Sequence, residues 1–431
     1  MNVIKISLFA TTALSLSFGV AFADENEAFL EQLSQGSTFN NSALVDQSGG
    51  LRNKAGSAGD KMKQQSLHLY VSGNSLNIDQ SGNDNEIGLT GSGVNQLAQK
   101  ANGNAATIEQ SSDRNSVGSI QQATRYGGGY TSGNTLTIEQ SGGDDNSIGS
   151  VVQERNGGSN GSVATLTMTG SRNNIDKATQ GTTFLGGNGN TMTAEISGDD
   201  NGKGTLSGFA ALSGANTSVL DQGGRYSFVS QGNNSMNLLI TGNENQFGVT
   251  QAGNGNGVGT LTINGDRNEL GVVQGGWTNV VTVAAIDGYD NNIGVLQLGI
   301  SNTASVTALK DGNAFGVGQF GNSNDATVFV DGNGNGSTTS TPVLAGDALA
   351  AAGLTPFFIE GAVIQLGDDN IVNASLTGDN NLFGMVQDGN RNNISATVNG
   401  NSNQSVVVQM GSDNSATFSQ SGSNNIAGIV Q

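Results

Sequence analysis

Three pairs of adjacent aspartates and one histidine are the residues of this chain whose types could do chemistry. The pairs are Asp144-Asp145, Asp199-Asp200 and Asp368-Asp369, and the one histidine is His68. Paired carboxylates could act as general acid and base, as they do in enzymes that cleave polysaccharides. All three pairs lie in predicted turns, however, where aspartate is favoured for local hydrogen bonding. We therefore expect that the chain is not an enzyme.

The single histidine and the absence of cysteine exclude most metal and nucleophile chemistry. His68 lies in SLHLYVSG, where Leu67, Leu69 and Val71 occupy the alternate positions, so its imidazole is predicted to point outward. Histidine triads and zinc sites with several His or Cys ligands need residues that the chain lacks. Calcium-binding β-rolls need a repeated GGxGxD motif that is not found, although weak calcium binding in turns stays open. We expect no metal and no cofactor.

The composition favours stacked β-structure. The chain has 67 Gly, 2 Pro and no Cys, with 5% aromatic and 12% charged residues. Disordered chains are usually rich in Pro and in charge, whereas here Asn, Gln, Ser and Thr alternate in register with aliphatic residues. A periodic, amide-rich and nearly Pro-free sequence is typical of stacked strands.

The N-terminus has the pattern of an export signal. Lys5 is followed by a mostly apolar stretch, and Ala21-Phe22-Ala23 gives a small-x-small cleavage site. Cleavage would leave Asp24 first and change the formal net charge from −19 to −20, because Lys5 is lost. Such acidity argues against a nucleic-acid partner. The rest of the chain has no apolar run of about 18 residues, so it is not expected to span a membrane.

A glycine followed three residues later by asparagine recurs every 11 or 12 residues from Gly242 onward. Two residues before the glycine, aliphatic residues mostly alternate with glutamine, so the full repeat is 22 or 23 residues long and holds two strands. Such self-similarity indicates a stacked-repeat architecture. The predicted turn glycines are Gly242, Gly253, Gly265, Gly276, Gly288, Gly299, Gly321, Gly332, Gly367, Gly378, Gly389, Gly400, Gly411 and Gly422.

The segment 387–409 illustrates the predicted fold of one repeat. Asn392, Ile394 and Val398 lie at alternate positions, on one face of the predicted strand; this is the period-two pattern of a strand with one buried face. Gly400 to Asn403 then reverses the chain; glycine suits a positive φ, and asparagine tolerates left-handed geometry. We predict an all-β fold, a β-solenoid of strand-turn-strand coils with two parallel sheets and about 14 coils.

Stacking at about 4.8 Å would place equivalent amides above one another. Each buried amide could then donate to one neighbouring coil and accept from the other, and a buried amide is costly unless paired. The predicted ladder and self-assembly residues are Gln251, Gln274, Gln297, Gln319, Gln365, Gln387, Gln409, Gln420, Gln431, Asn245, Asn268, Asn291, Asn381, Asn392, Asn403, Asn414 and Asn425. The core is completed by residues two after each Asn, larger on one strand (Phe247, Leu270, Ile293, Phe315, Phe383) and smaller on the other (Val258, Val281, Ala304, Ala326, Ala416).

The regularity of the repeat divides the chain. We expect a signal peptide at 1–23, an acidic export or targeting segment at 24–34, an irregular solenoid at 35–231 and a regular solenoid at 232–431. An insertion at about 337–360 interrupts the last part; it holds Pro342 and Pro356, which cannot donate to a strand ladder, and 347–354 could form a short helix. The repeat continues to Gln431, so we expect an uncapped coil that can pair with another chain.

The spacing QxGxxNxAxxxQ occurs twice without departure, at 409–420 and at 420–431. The shorter QxGxxN core recurs at Gln80, Gln251, Gln274, Gln297, Gln319, Gln365 and Gln387. The spacing resembles the curlin repeat, the unit of bacterial curli subunits. The resemblance implies a secreted subunit of an extracellular amyloid fibre, a pilus or fimbrium at the cell surface that serves adhesion and the biofilm matrix. It also implies export through an outer-membrane channel, guided by a segment in the place of 24–34.

The implied partners are copies of the same chain, the export channel and possibly a related fibre subunit. The chain departs from the family pattern in its larger number of coils, in the aliphatic residues that replace a second Gln, and in the insertion. Whether it is a major, minor or nucleating subunit stays open. The alternative is a secreted β-solenoid adhesin that does not polymerise. A turn-calcium-binding or an ice-binding solenoid is favoured less, since Thr-x-Thr pairs at 135/137, 165/167, 191/193 and 260/262 do not continue along the strict repeat.

Overall fold

The structure is a computed structural model that describes residues 16–18, 25–34, 41–59, 61–66, 73–88, 94–98, 103–125, 133–156, 161–181, 189–223, 232–336 and 359–431. Clustering of contacts gives two units. The first comprises Met1–Lys203, Ser218–Met236 and Ala252–Asn254, and the second comprises Gly204–Thr217, Asn237–Gln251 and Gly255–Gln431. Most of the predicted signal peptide and of the insertion at 337–360 lies outside the described residues. His68, Pro342, Pro356 and the helix predicted at 347–354 lie outside them as well.

The first unit is a β-solenoid whose successive strands alternate between two parallel sheets, as predicted. Its first sheet contains Leu16–Phe18, Ser42–Asp46, Ser75–Gln80, Ala105–Gln110, Thr135–Ser141, Val163–Thr169 and Thr191–Ser197. Its second sheet contains Glu27–Ala28, Leu30–Ser34, Lys54–Ala55, Met62–Ser66, Glu86–Ile87, Val94–Ala98, Ser116–Arg125, Ser147–Asn156, Asn174–Gln180 and Val219–Gln222.

The second unit has the same architecture. Its first sheet contains Gly257–Asn264, Val280–Asp287, Thr303–Leu309, Asp325–Asp331, Ile371–Thr377, Asn393–Asn399 and Ser415–Ser421. Its second sheet contains Glu269–Trp277, Asn292–Ile300, Ala314–Asn322, Ala362–Leu366, Leu382–Asp388, Gln404–Met410 and Ile426–Val430. Most residues of the strands Ser235–Thr241 and Gln246–Asn254 also belong to this unit.

Strands of neighbouring coils pair in parallel and residue for residue. Gln274 lies opposite Gln297, which lies opposite Gln319. The one-residue difference between repeats of 22 and 23 is absorbed by a local register shift between Val283 and Ala285. A bulge of this kind keeps the rest of the strand in register, so the predicted explanation of the variable period is confirmed at this coil.

The interior of the second unit is a thin core between its two sheets. Phe247, Leu270, Ile293, Phe315 and Phe383 are fully buried, and the rings of Phe315 and Phe383 lie 6.1 Å apart. The smaller residues predicted to face them, Val258, Val281, Ala304, Ala326 and Ala416, are buried as well. The predicted pairing of large and small inward positions is therefore confirmed.

The predicted turn glycines all have positive φ, from 92° at Gly411 to 154° at Gly332. At Gly299 a side chain is also excluded by space, because a Cβ would lie 1.8 Å from the carbonyl oxygen of Gly321 in the next coil. The asparagine of each turn does not use the left-handed geometry that it tolerates. The left-handed residue is the one before it, for example Asp290 with φ 58° before Asn291, because the asparagine backbone already belongs to the ladder.

A short helix, α1 (Gly208–Leu212), interrupts the repeat in the region that the sequence marks as least regular. The segment 204–217 lies on the outer face of the second sheet of the second unit. It is held by hydrogen bonds from Gly204 N to Gln246 Oε1, 2.7 Å, and from Ala210 N to Asn292 Oδ1, 2.9 Å. Its backbone approaches a column of outward glycines so closely that a Cβ at Gly294 would lie 1.9 Å from Phe209 O.

This close approach predicts the effect of two matched glycine substitutions. We expect Gly294→Ala to destabilise the chain by about 1–3 kcal/mol and to displace 204–217, because a methyl group has no space beneath Phe209 O. Gly259→Ala should be nearly neutral, since the nearest atom to its Cβ would be Val281 O at 3.6 Å. Amide exchange in 204–217 and the urea midpoint measure both effects. Equal exchange in the two variants would contradict the packing of α1 on this column.

Candidate functional site: buried amide ladders

A column of fully buried glutamines runs along the second sheet of the second unit. Gln297 Nε2 donates to Gln319 Oε1 at 2.8 Å, and Gln274 Nε2 donates to Gln297 Oε1 at 2.9 Å. The second amide hydrogen of Gln297 bonds to Val280 O on the facing sheet, at 3.0 Å. Each amide is therefore paired along the stack and across the core. The buried members are the predicted Gln251, Gln274, Gln297, Gln319, Gln365, Gln387 and Gln409, and the column continues to the predicted Gln431, which is exposed.

Gln420 does not join this column. It lies in the first sheet opposite Val398, where its Oε1 accepts from Ser405 Oγ at 2.8 Å and its Nε2 donates to Gln404 O at 3.2 Å. The structure therefore separates Gln420 from the other predicted glutamines. Its column carries aliphatic residues in the coils before it, including Ile263, Ile286 and Leu376.

The first unit has glutamine columns in both sheets, which the prediction did not include. The column in its second sheet contains Gln32, Gln64, Gln96, Gln122, Gln153, Gln180 and Gln222, joined by amide hydrogen bonds of 2.5 to 3.0 Å. The column in its first sheet contains Gln47, Gln80, Gln110 and Gln140. It ends where Gln140 Nε2 meets Met168 Sδ at 4.0 Å.

The buried asparagines form a second kind of ladder at the turns. Both the backbone N–H and the Nδ2 of Asn291 donate to Asn268 Oδ1, each at 3.0 Å. Asn291 Nδ2 also donates to Lys310 O in the following turn, at 2.8 Å. Each turn asparagine thus bonds to the preceding coil through its backbone N–H and its side-chain amide, and to the carbonyl of the following turn through the same side-chain amide.

The predicted asparagines of the second unit fall into two columns. Asn245, Asn268, Asn291, Asn381, Asn403 and Asn425 share one column with Asn313 and Asn335. Asn392 and Asn414 lie in the other column with Asn256, Asn279, Asn302, Asn324 and Asn370.

The first unit also has two asparagine columns. One contains Asn26, Asn53, Asn85, Asn115, Asn146, Asn173 and Asn201. The other begins with Asn41, Asn74, Asn104 and Asn134 and reaches Ser162, whose backbone N–H donates to Asn134 Oδ1 at 3.1 Å. The Ser162 hydroxyl is buried without a partner, so the side-chain ladder is interrupted at this coil.

Exposed arginine–aspartate pairs join the left-handed turn residues of neighbouring coils. Arg114 Nε lies 2.8 Å from Asp145, Arg172 Nη2 lies 2.6 Å from Asp200, and Arg267 Nε lies 2.7 Å from Asp290. Further pairs of this kind are Arg52–Asp84 and Arg391–Asp413, and Lys310 forms an ion pair with Asp331 at the end of a strand. The arginine hydrogen bond is the main cause that lowers the pKa of Asp84, Asp145, Asp200, Asp290 and Asp413 below its usual range.

The outer face of the first sheet of the first unit carries carboxylates in direct register. Asp46, Asp79, Glu109 and Glu139 lie opposite one another on successive strands. Burial, and then the charge of Asp46, raise the pKa of Asp79 above its usual range. Like charges placed opposite each other in a sheet destabilise it, so this column opposes the stacking that the amides favour.

The aspartate pairs first considered for catalysis have structural partners. Asp144 and Asp145 bind Arg114, and Asp199 and Asp200 bind Arg172. Asp368 Oδ1 accepts hydrogen bonds from the backbone and side chain of Asn322, at 2.8 and 3.0 Å. Within the described part of the chain, no group of three or more His, Cys, Asp or Glu is arranged to hold a metal ion.

No helix in the described ranges is long and apolar enough to cross a membrane. No model of a known protein family matches the chain, and a search of curated proteins finds no similar sequence.

The asparagine ladder predicts a strong dependence of stability on inward amides. Asn291→Ala leaves the backbone N–H of Asn313 and the Lys310 carbonyl without their bonds to this side chain. We expect a loss of about 1–3 kcal/mol for each buried group left unpaired. The matched control is Asn373→Ala, which removes an exposed, outward asparagine of a strand and should change the urea midpoint little. Equal midpoints for the two variants would contradict the ladder's contribution.

The ion pairs predict a loss of stability in acid. The paired carboxyls have folded pKa values below their ordinary value of 3.8. At a pH between the folded and the ordinary pKa, the unfolded state therefore binds more protons than the folded state. Their stabilisation is fully present above about pH 4 and is lost as pH falls through the folded pKa values. The loss of stability in acid should be modest because the pairs are exposed. The double variant Asp145→Asn/Asp200→Asn should lose less stability in acid than the unmodified chain. Thermal midpoints between pH 2 and 7 measure this loss, and the exposed Asp388→Asn serves as the control. An unchanged pH slope in the double variant would oppose this assignment.

Proposed function

We propose that this chain is a secreted structural subunit of an extracellular curli-like amyloid fibre. Copies would join by axial stacking, coil upon coil, and the fibre would serve adhesion and the biofilm matrix. In this proposal the chain is not an enzyme. The β-solenoid fold supports the structural part, and the resemblance of 409–431 to the curlin repeat supports the choice of fibre.

The observation that carries the proposal is the matching of the two terminal coils. The buried Gln32 Oε1 has no hydrogen-bond partner, and it lies in the first strand of its glutamine column. In the C-terminal coil of the second unit, Gln431 Nε2 donates to Ser415 O and could reach a further glutamine, as every preceding Nε2 of its own column does. A second copy placed below Gln431 would supply an acceptor of the type that Gln32 offers.

The spacing of the terminal coils supports the same pairing. Gln32 lies six positions after Asn26, and Gln431 lies six positions after Asn425. Gln47 likewise lies six positions after Asn41, and Gln420 six positions after Asn414. The C-terminal coil therefore matches the edge that carries Asn26 and Gln32 in the spacing from the turn asparagine to the inward glutamine.

The strand edges provide the main-chain part of such a contact. Within the described residues, Ser415–Ser421 pairs only with Asn393–Asn399, and Ile426–Val430 pairs only with Gln404–Met410. An edge strand offers a row of N–H and C=O groups that can pair with another chain. Axial addition would satisfy such groups on Ile426–Val430 and extend the columns that contain Gln431 and Asn425.

Export is the part of the proposal that depends on the sequence. The apolar stretch after Lys5 and the Ala21-Phe22-Ala23 site support secretion. The acidic segment 24–34 would then be the part read by an outer-membrane channel. Its described part includes Leu30–Ser34, which is a strand of the second sheet.

The proposal predicts how single substitutions change fibre growth in residues 24–431, the chain left after the expected cleavage. Gln409→Ala removes the amide between Gln387 and Gln431, and Asn403→Ala removes the acceptor of Asn425. We expect each to slow seeded elongation on the order of tenfold, the effect of losing roughly 1–2 kcal/mol of hydrogen bonding. The outward Thr397→Ala should elongate like the unmodified chain. Thioflavin fluorescence with fixed seed mass measures the rate.

Two outcomes would count against the proposal. A chain of 24–431 that stays monomeric in the presence of seeds would favour the non-polymerising adhesin. Equal elongation rates in all three variants would show that the amide ladder does not contribute to fibre growth. Circular dichroism of each monomer before seeding separates slow growth from failure to fold.

A further inference from the structure

Three glutamates lie along one strand edge in the second sheet of the first unit. Glu25 precedes the turn asparagine of its coil, Glu27 follows that asparagine, and Glu31 lies in Leu30–Ser34. Within the described residues, Glu27–Ala28 and Leu30–Ser34 pair only with strands of the following coil. Their other side is a strand edge, and we call its three glutamates the acidic edge.

Basic residues of the following coil lie opposite two members of the acidic edge. Lys54 lies opposite Glu27, and Lys63 lies opposite Glu31. One coil further on, Glu86 lies opposite Lys54. Opposite charges placed in this way stabilise a sheet, and from Glu27 to Glu86 the sign of the charge changes at each coil.

The residues before the turn asparagines alternate in the same way. All have positive φ, and their order along the unit is Glu25, Arg52, Asp84, Arg114, Asp145, Arg172 and Asp200. Each arginine donates to the aspartate of the following coil, as Arg52 does to Asp84 at 2.5 and 2.6 Å. In this described series, Glu25 is the acidic residue that no arginine of a preceding coil reaches.

A second copy of this chain would not continue the alternation. Its C-terminal coil, in the second unit, has neutral residues at the three corresponding positions, which are Asn424, Ile426 and Val430 when counted from the turn asparagine. Contact with the acidic edge would take carboxylates from water without supplying cations, and unpaired charges are costly to bury. The strand edge and the glutamine donor of this coil suit the contact, whereas its side chains beside the carboxylates do not.

We propose that the acidic edge selects a related subunit whose terminal coil carries Lys or Arg at these three positions, in preference to a second copy. The inference rests on the proposed function, since it names a partner for the same axial contact. Such a coil would supply the arginine that Glu25 lacks and would place cations opposite Glu27 and Glu31. Strand pairing and the amide bond to Gln32 Oε1 are common to both partners, so the charges decide between them.

One coil of the second unit shows that the required contacts fit together. Arg267 precedes its turn asparagine and pairs with Asp290 of the following coil at 2.7 Å. Six positions after that asparagine, Gln274 Nε2 donates to Gln297 Oε1 at 2.9 Å. A basic turn residue and a glutamine donor therefore act together across one coil step, and the partner needs the same Arg-Asn-x5-Gln spacing.

The test measures, by thioflavin fluorescence, how 24–431 elongates two kinds of seed at equal mass. Basic seeds are made from the variant Asn424→Arg/Ile426→Lys/Val430→Lys, and the others are made from unmodified chain. We expect at least about fivefold faster elongation on basic seeds, the effect of a few exposed ion pairs. The difference should shrink in about 1 M salt, which screens exposed charges.

A variant of the added monomer assigns the preference to the acidic edge. Glu25→Gln/Glu27→Gln/Glu31→Gln removes three charges and keeps the shape of the side chains, so it should elongate both kinds of seed at equal rates. Circular dichroism of the variant before seeding shows that it has folded.

The matched control is Glu109→Gln/Glu139→Gln/Glu195→Gln, which removes three exposed charges from the outer face of the first sheet and should keep the preference for basic seeds. Equal rates of unmodified monomer on both kinds of seed, or equal loss of the preference in the two variants, would overturn the selection by charge while leaving the fibre function intact. Failure of 24–431 to extend either kind of seed would instead refute the proposed function.

Discussion

The structure depends on the cost of burying an amide without a partner. An unpaired polar group in an apolar interior costs several kcal/mol in reference systems, and this core contains a glutamine or an asparagine at every coil. Gln297 shows how the cost is avoided: its Oε1 is taken by Gln274, and its two N–H groups are taken by Gln319 and by Val280 O. The solution works only if the same residue recurs at the same height in the next coil. The amide therefore fixes the register more strictly than an aliphatic side chain would.

Strict register at the amides leaves freedom elsewhere. Gln64 lies eleven positions after Asn53, whereas the corresponding distance in the second unit is six, as from Asn268 to Gln274; Asn53 and Gln64 nevertheless both stay in their columns. The segment 204–217 leaves the path of the coil and lies on an outer face, where outward glycines leave space for its backbone. Even the like-charged column of Asp46, Asp79 and Glu109 is tolerated on the outer face. Extra length and unfavourable charge are placed where they do not disturb the amide columns.

This division explains which features could be predicted from the sequence. The glycine-to-asparagine spacing predicted the coils, the parallel sheets and the inward residues of 232–431, because period and burial both follow from a two-residue alternation. The second-sheet glutamine column of the first unit was not predicted, since the distance from the turn asparagine to the glutamine varies there, for example eleven positions at Gln64 and seven at Gln122. The position of α1 was not predictable either, because it depends on contacts with Gln246 and Asn292, far away in sequence. The arginine–aspartate pairs are visible as residue types, but pairing them required the register of the coils.

The ladders also give the stack a direction. Along the glutamine columns Nε2 donates to the following coil, as Gln387 does to Gln409, whereas along the asparagine columns the donation is to the preceding coil, as Asn403 does to Asn381. Within each unit, one face of the stack therefore presents glutamine donors and asparagine acceptors, and the other face presents the reverse; in the first unit the unpartnered Gln32 Oε1 is such a glutamine acceptor. Two like faces would bring donor against donor, so copies joined through these ladders must all point the same way. A contact between unlike faces repeated by translation along one axis does not close on itself, and it gives an open filament rather than a dimer.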